Sequence, residues 1–191
     1  SQVRSAGALC APYPFVLYSD LYDHRDFIRG VVNSGFSGLL WAPELRHAAS
    51  ARDLIRRLQT AVFSVQCLIN GFYCEEVPWK AFDCEGEVRE LLQERERLIP
   101  RLYAAFCRYR ETGVPPVRAL VMDYTLDEQT WTIGDEYLFC DDLLVAPMTE
   151  EEEMRNVYLP EGRWRDYWTG EERESGWHEV RTDRIPVFER I

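Results

Sequence analysis

Asp20 stands where an apolar run gives way to a cluster of titratable residues. Phe15 to Tyr18 are four apolar or aromatic residues in a row, and Ser19, Asp20, Asp23 and His24 follow closely. Such a run reads as a strand buried on both faces, as the strands of parallel sheets are. A carboxylate at the carboxyl end of such a strand is placed for proton transfer, because that end of a β/α layer carries the reacting groups. Asp20 is the first candidate. Asp23 competes with it, and each has a second reading as the N-cap of the helix that follows. His24 and His47 lie in loops at strand ends and read as exposed histidines.

The surrounding elements follow from periodicity and caps. Between Asp23 and Ser34 the residues Phe27, Ile28, Val31 and Val32 recur at helical spacing, and Gly35 is placed as the glycine that ends the helix. Gly38 to Trp41 is a second short buried strand, entering a polar loop from Pro43 to His47. Ser50-Ala51-Arg52-Asp53 is an S-x-x-D helix start, with Leu54, Ile55, Leu58, Ala61 and Val62 on one face. A third apolar run, Val65 to Ile69, ends at Asn70-Gly71. Three strand–helix units in series imply a parallel sheet, and eight would close a barrel.

Phe72 to Asp83 is a loop whose Phe72, Tyr73, Trp79 and Phe82 either rim a site or cover the end of the sheet. Glu85 to Thr112 is one amphipathic helix with Val88, Leu91, Leu92, Leu98, Ile99, Leu102 and Phe106 on its apolar side. Pro100 is expected to kink it. Gly113 and Pro115-Pro116 mark a domain boundary, separating residues 1–113 from residues 114–191. Beyond it the pattern turns to short strands at Val117–Met122, Asp142–Ala146, Asn156–Leu159 and Pro186–Arg190, with turns between them. This reads as the start of an antiparallel β-sandwich, interrupted by an acidic loop from Glu150 to Glu153 expected to be a solvated face.

Composition narrows the function classes. Acidic residues outnumber basic ones by 33 to 22, a formal net charge of −11. That argues against a nucleic-acid partner, which needs a basic face. No apolar run approaches the length of a membrane span. Cys10, Cys67, Cys74, Cys84, Cys107 and Cys140 form no close C-x-x-C pair and read as reduced structural thiols of a cytoplasmic protein. Secretion stays open should the full-length protein carry a leader, as does a homo-oligomer. No metal site is indicated, because the three histidines show no ligand spacing with the cysteines, and no cofactor is called for.

The second half carries a family resemblance. Tyr137-Leu138-Phe139 with Asp142-Leu143-Leu144-Val145-Ala146-Pro147, the segment Val157 to Gly170, and Asp183-Arg184-Ile185-Pro186-Val187-Phe188 resemble the proximal C-terminal domain of glycoside hydrolase family 31. Gly113-Val114-Pro115 with Arg118, the helix around Leu98 to Tyr103, Pro78-Trp79, Gly35-Phe36-Ser37-Gly38 and Arg4-Ser5-Ala6-Gly7 are similar to the same family in the same order.

The resemblance implies the C-terminal portion of a (β/α)8 TIM barrel (1–113) followed by an antiparallel, incomplete β-sandwich domain (114–191). It implies a retaining α-glycosidase acting on terminal α-linked sugars, α-glucosidase-like by default. Retention uses two carboxylates, a nucleophile and an acid/base. Asp20 best fills the acid/base position. The family's nucleophile lies on a strand before Arg4, so the chain is expected to be an internal piece of a longer enzyme, with the N-terminal part of that enzyme as its partner. Arg4 resembles the active-site arginine that contacts sugar hydroxyls; a surface salt bridge is its other reading. Trp41 reads as a sugar platform or a core tryptophan. Two departures stand out. Glu44, in Trp41-Ala42-Pro43-Glu44-Leu45-Arg46, replaces an aspartate followed by Gly-Gly-Phe, and Leu68-Ile69-Asn70 replaces an Arg-x-His. Glu44 and Asn70 are therefore candidate substrate-binding residues for a sugar other than glucose, such as galactose or N-acetylgalactosamine. The rival expectation is a non-catalytic sugar-binding or scaffold piece, inactive alone because the nucleophile is absent.

Overall fold

The computed structural model describes residues 2–3, 16–19, 23–38, 40–72 and 74–191. Among them, β1 (Gln2–Val3), β2 (Val16–Ser19), β3 (Trp41–Leu45) and β4 (Leu68–Ile69) form a parallel sheet in that order. Helix α1 (His24–Ser34) connects β2 to β3 and α2 (Ala51–Val62) connects β3 to β4. The short α3 (Pro78–Ala81) and the long α4 (Glu85–Thr112) follow. Strand β1 has no counterpart in the sequence reading, being two residues long.

Both connecting helices start at the caps their sequences encode. The Asp23 carboxylate accepts from the N–H of Asp26 at 3.0 Å, which fixes Asp23 as the N-cap of α1. Ser50 does the same for the N–H of Asp53, and the Asp53 carboxylate reaches back to accept from the N–H of Ala49, one residue before the N-cap. Gly35 is the C-cap of α1, as expected, but its backbone is right-handed. Its φ is −58° and the chain continues into a short 3-10 turn, Gly35–Ser37, so the left-handed glycine is Gly38 at φ 65°. Glycine is needed at 35 because a Cβ there would lie 3.0 Å from the Val117 carbonyl oxygen and 3.2 Å from Met122 Sδ.

Strand β3 lies three residues later than the apolar run suggests. Trp41 to Pro43 pair with β2, whereas Glu44 and Leu45 pair with β4. Pro43, which has no N–H to donate, sits where the strand changes partners. The segment expected to be a polar loop is therefore strand, and Glu44 is on it.

The second half contains β5 (Val117–Ala119), β6 (Tyr137–Phe139), β7 (Leu143–Val145), β8 (Met154–Leu159), β9 (Trp164–Asp166), β10 (Glu172–Arg173), β11 (Gly176–Arg181) and β12 (Val187–Arg190). Six of these form an antiparallel sheet in the order β10-β9-β12-β7-β6-β5, and β8 pairs with β11 separately. The central strands read as unbroken apolar runs because both faces are buried. Tyr137, Phe139, Leu143, Val145 and Val187 face Leu58, Val62, Leu98 and Leu102 of α2 and α4. Leu138, Leu144 and Phe188 face Val157 and Leu159 of β8. The alternation is between two cores, not between core and water.

One core thus continues from α1 and α2 into the antiparallel sheet, and polar clamps reinforce the contact. The buried Arg56 guanidinium donates to the carbonyls of Thr182, Asp183, Arg184 and Glu152 at 3.1–3.3 Å, and Gln59 Nε2 donates to Asp183 at 3.0 Å. Arg95 of α4 closes the exit of α2, donating to the carbonyls of Val62 and Ser64 at 2.6 Å. On α4 the buried side is Val88, Glu94, Leu98, Leu102 and Ala105, whereas Leu92 and Ile99, expected inside, are exposed. Glu94 is stabilised there by the Tyr167 hydroxyl at 2.5 Å and by Arg97 at 2.8 Å.

Candidate active site

Glu44 and Asn70 meet at the carboxyl ends of neighbouring parallel strands. The register pairs Leu45 with Ile69, and the N–H of Asn70, the next residue, donates to the Leu45 carbonyl at 2.8 Å. This brings the Asn70 amide onto Glu44, to whose Oε1 its Nδ2 donates. The other carboxylate oxygen takes Arg46 NH2 at 2.8 Å. Asn70 Oδ1 in turn accepts from the N–H of Phe72 at 2.9 Å. The Glu44 side chain is 3% exposed and that of Arg46 12%, so this is an ion pair largely withdrawn from water, with hydrogen bonds to satisfy it.

Arg46 is the participant sequence reasoning missed. Once β3 is placed correctly, Glu44 and Arg46 are two residues apart on extended chain and share a face. That spacing was the available signal.

The remaining predicted residues separate into three groups. Asp20 and Arg4 lie outside the described residues, as do Cys10, Leu39 and Tyr73. β2 ends at Ser19 and β1 at Val3, so in the chain each immediately precedes its candidate residue. Trp41 packs against α1, edge-on to Phe27 with ring centroids 6.2 Å apart, and any Cβ at Gly30 would come within 2.9 Å of its ring. That is the core role named beside the platform role. Of the aromatics beyond Asn70, Phe72 is exposed, whereas Trp79 and Phe82 pack on the core.

His24 is buried, not exposed as expected. Its Nε2 lies 3.0 Å from Thr60 Oγ1, and the Thr60 hydroxyl already donates to the Arg56 carbonyl. Thr60 can therefore only accept, which places the imidazole proton on Nε2 and leaves Nδ1 as a buried lone pair with no hydrogen-bond partner among the described residues. Burial, helped by the nearby Arg57 guanidinium, lowers the His24 pKa to about 3. A neutral histidine thus anchors the first turn of α1 to α2.

The acidic turn is solvated at Glu151 and Glu153, as expected, and it also docks on the helices. The Glu150 carboxylate accepts from the Ser50 hydroxyl, Glu151 pairs with Arg25 at 3.0 Å, and the Glu152 carbonyl accepts from Arg52 at 3.0 Å. The turn braces the first residues of α1 and the N-cap of α2, which follow the carboxyl ends of β2 and β3.

A short parallel βα layer thus carries a paired carboxylate and an amide at its strand ends, with an antiparallel β-domain packed behind it. Residues 113–191 match the glycosyl hydrolase family 31 C-terminal domain. Over 171 residues the chain is 35% identical to alpha-glucosidase 2 of Bacillus thermoamyloliquefaciens, covering 82% of this chain and 21% of that enzyme. It is 28% identical over 148 residues to an alpha-xylosidase of Saccharolobus solfataricus, covering 74% of this chain and 20% of that one. Among solved structures, the cycloalternan-degrading enzyme of Trueperella pyogenes, in complex with a covalent intermediate, matches with a TM-score of 0.82 at 27% identity, covering 93% of this chain and 28% of that one. Residues 113–191 are a glycoside hydrolase family 31 C-terminal domain, and the chain spans about a fifth of the length of these two enzyme relatives.

Proposed function

We propose that this chain is the part of a retaining α-glycosidase that carries the acid/base Asp20 and a sugar-binding corner made by Glu44 and Asn70, with Arg4 contributing to the same site. The observation that carries the reading is the meeting of Glu44 and Asn70 at the ends of adjacent parallel strands. In a (β/α)8 barrel, that edge is where substrate sits. Residues 1–113 are the contribution to such a barrel and residues 114–191 the sandwich domain behind it. The match of the C-terminal domain from residue 113 and the glycine terminator of α4 at Gly113 support that division.

The chemistry follows from the two-carboxylate scheme. Asp20 gives a proton to the departing glycosidic oxygen while a carboxylate from elsewhere in the full enzyme attacks the anomeric carbon. Asp20 then takes a proton from the water that hydrolyses the glycosyl–enzyme, and two inversions give net retention. The covalent intermediate named for the Trueperella pyogenes structure supports this route. Glu44 and Asn70, which stand in for an aspartate and a histidine, favour a sugar such as galactose or N-acetylgalactosamine over glucose. The test is hydrolysis by the full-length enzyme of a panel of aryl α-glycosides, with the anomer of the first-formed sugar read by NMR. An α-anomer from an α-galactoside or α-N-acetylgalactosaminide is expected. Much faster hydrolysis of the α-glucoside would refute the specificity, and a β-anomer would refute the mechanism.

A further inference from the structure

Among the described residues two groups hold Glu44, one at each carboxylate oxygen: the Arg46 guanidinium at Oε2 and the Asn70 amide at Oε1. A carboxylate offers about four lone-pair positions, so these two contacts leave roughly two. Asn70 is held in turn. Turning its amide over would lose both the Phe72 N–H contact at 2.9 Å and the bond to Glu44. What the corner can offer a ligand is therefore set in advance. Glu44 accepts, and Asn70 has one further N–H to donate.

We propose that Arg46 is a specificity-determining positioning residue that fixes the Glu44 carboxylate, together with Asn70, as an acceptor for hydroxyls of a neutral pyranose, a role that rests on the α-glycosidase reading above. An unpaired carboxylate this buried would be strongly destabilised. Arg46 balances its charge, and the Glu44–Arg46 pair itself carries no net charge to recruit an anionic uronate or a cationic amino sugar. Its selectivity lies in hydroxyl donors whose loss would leave a buried acceptor unmet, the kind of contact that discriminates most sharply. The planar fork of arginine also fixes the carboxylate's direction, which a lysine ammonium does less well. Hydroxyl recognition common to ground and transition states appears in KM and leaves kcat unchanged.

The test uses full-length enzyme and the aryl α-glycoside it hydrolyses best. Arg46→Met should raise KM about tenfold or more with kcat within about threefold. Arg46→Lys should recover part of the loss. The double variant Arg46→Met/Glu44→Gln should be no worse than Glu44→Gln alone, because Arg46 acts through Glu44. Among monodeoxy substrates, the one the wild type discriminates against most should lose most of that penalty in the Arg46 variants. An unchanged KM in Arg46→Met, or an additive double variant, overturns the proposal. Should Arg46→Met not fold, an unchanged KM and deoxy pattern in Arg46→Lys overturns it equally. Should the wild type hydrolyse no α-glycoside, the α-glycosidase reading fails separately. Calorimetric binding of galactose to wild type and Arg46→Met then decides: weaker binding in the variant supports the role, and identical binding overturns it.

Discussion

Acidification should loosen α1 through His24 in particular. The imidazole is neutral, buried and bound through Nε2 to Thr60, and its pKa falls from the ordinary 6.5 to about 3 in the folded chain. Because the folded value is the lower one, the unfolded chain binds more protons between these limits. The stabilisation is complete above pH 6.5 and is lost as pH falls toward 3. The slope approaches about 1.4 kcal/mol per pH unit, so about 2–3 kcal/mol is lost by pH 4.5 and about 5 kcal/mol over the whole range. Urea denaturation at pH 8.0, 6.5, 5.5 and 4.5 measures it, with His24→Gln as the reference. The variant loses packing against Phe27, whose ring centroid lies 5.5 Å away, and should be less stable at pH 8. Its stability should nevertheless fall less steeply between pH 6.5 and 4.5, because glutamine does not titrate. Parallel pH dependences for wild type and variant would refute the burial argument.

Gly35→Ala should destabilise by about 1–3 kcal/mol, seen as a lower melting temperature, because its Cβ must displace the Val117 carbonyl from 3.0 Å. An unchanged melting temperature would mean that α1 and β5 are not so closely apposed. Arg56→Met should cost about 2–4 kcal/mol and raise amide exchange around residues 182–184, whose carbonyls lose the Arg56 guanidinium as donor. Full protection of that segment in the variant would contradict the clamp. The isolated 191 residues should show no glycoside turnover, and active-site titration with a measurable burst would count against the two-carboxylate scheme.

The helices were legible because local signals specify them. Asp23 and Ser50 cap as their types suggest, and α4 runs between Glu85 and the glycine at 113 as its apolar spacing indicated. The sheets were harder. β3 was placed early because a strand containing Pro43 and Glu44 looks like loop until its change of partner is known. In the antiparallel sheet, a strand buried on both faces gives no alternation to read, and β9, β10 and β11 carry too few apolar residues to stand out. The site was legible in part. Glu44 and Asn70 were singled out as departures from the family pattern and do meet; Arg46, two residues from Glu44, was missed because β3 was placed too early, whereas the burial of His24 and the docking of the acidic turn are long-range packing and charge arrangements. Nothing at positions 150–152 indicates that Arg25 and Ser50 lie opposite, because that contact spans about a hundred residues of chain.

The most direct test of the account is the Asp20→Asn variant of the full-length enzyme, assayed on an α-glycoside with a poor leaving group. General acid–base catalysis contributes about 10²–10⁴-fold, so kcat/KM should fall at least about a hundredfold with the protein still folded. A variant that keeps the wild-type rate would contradict the assignment of Asp20 as the acid/base.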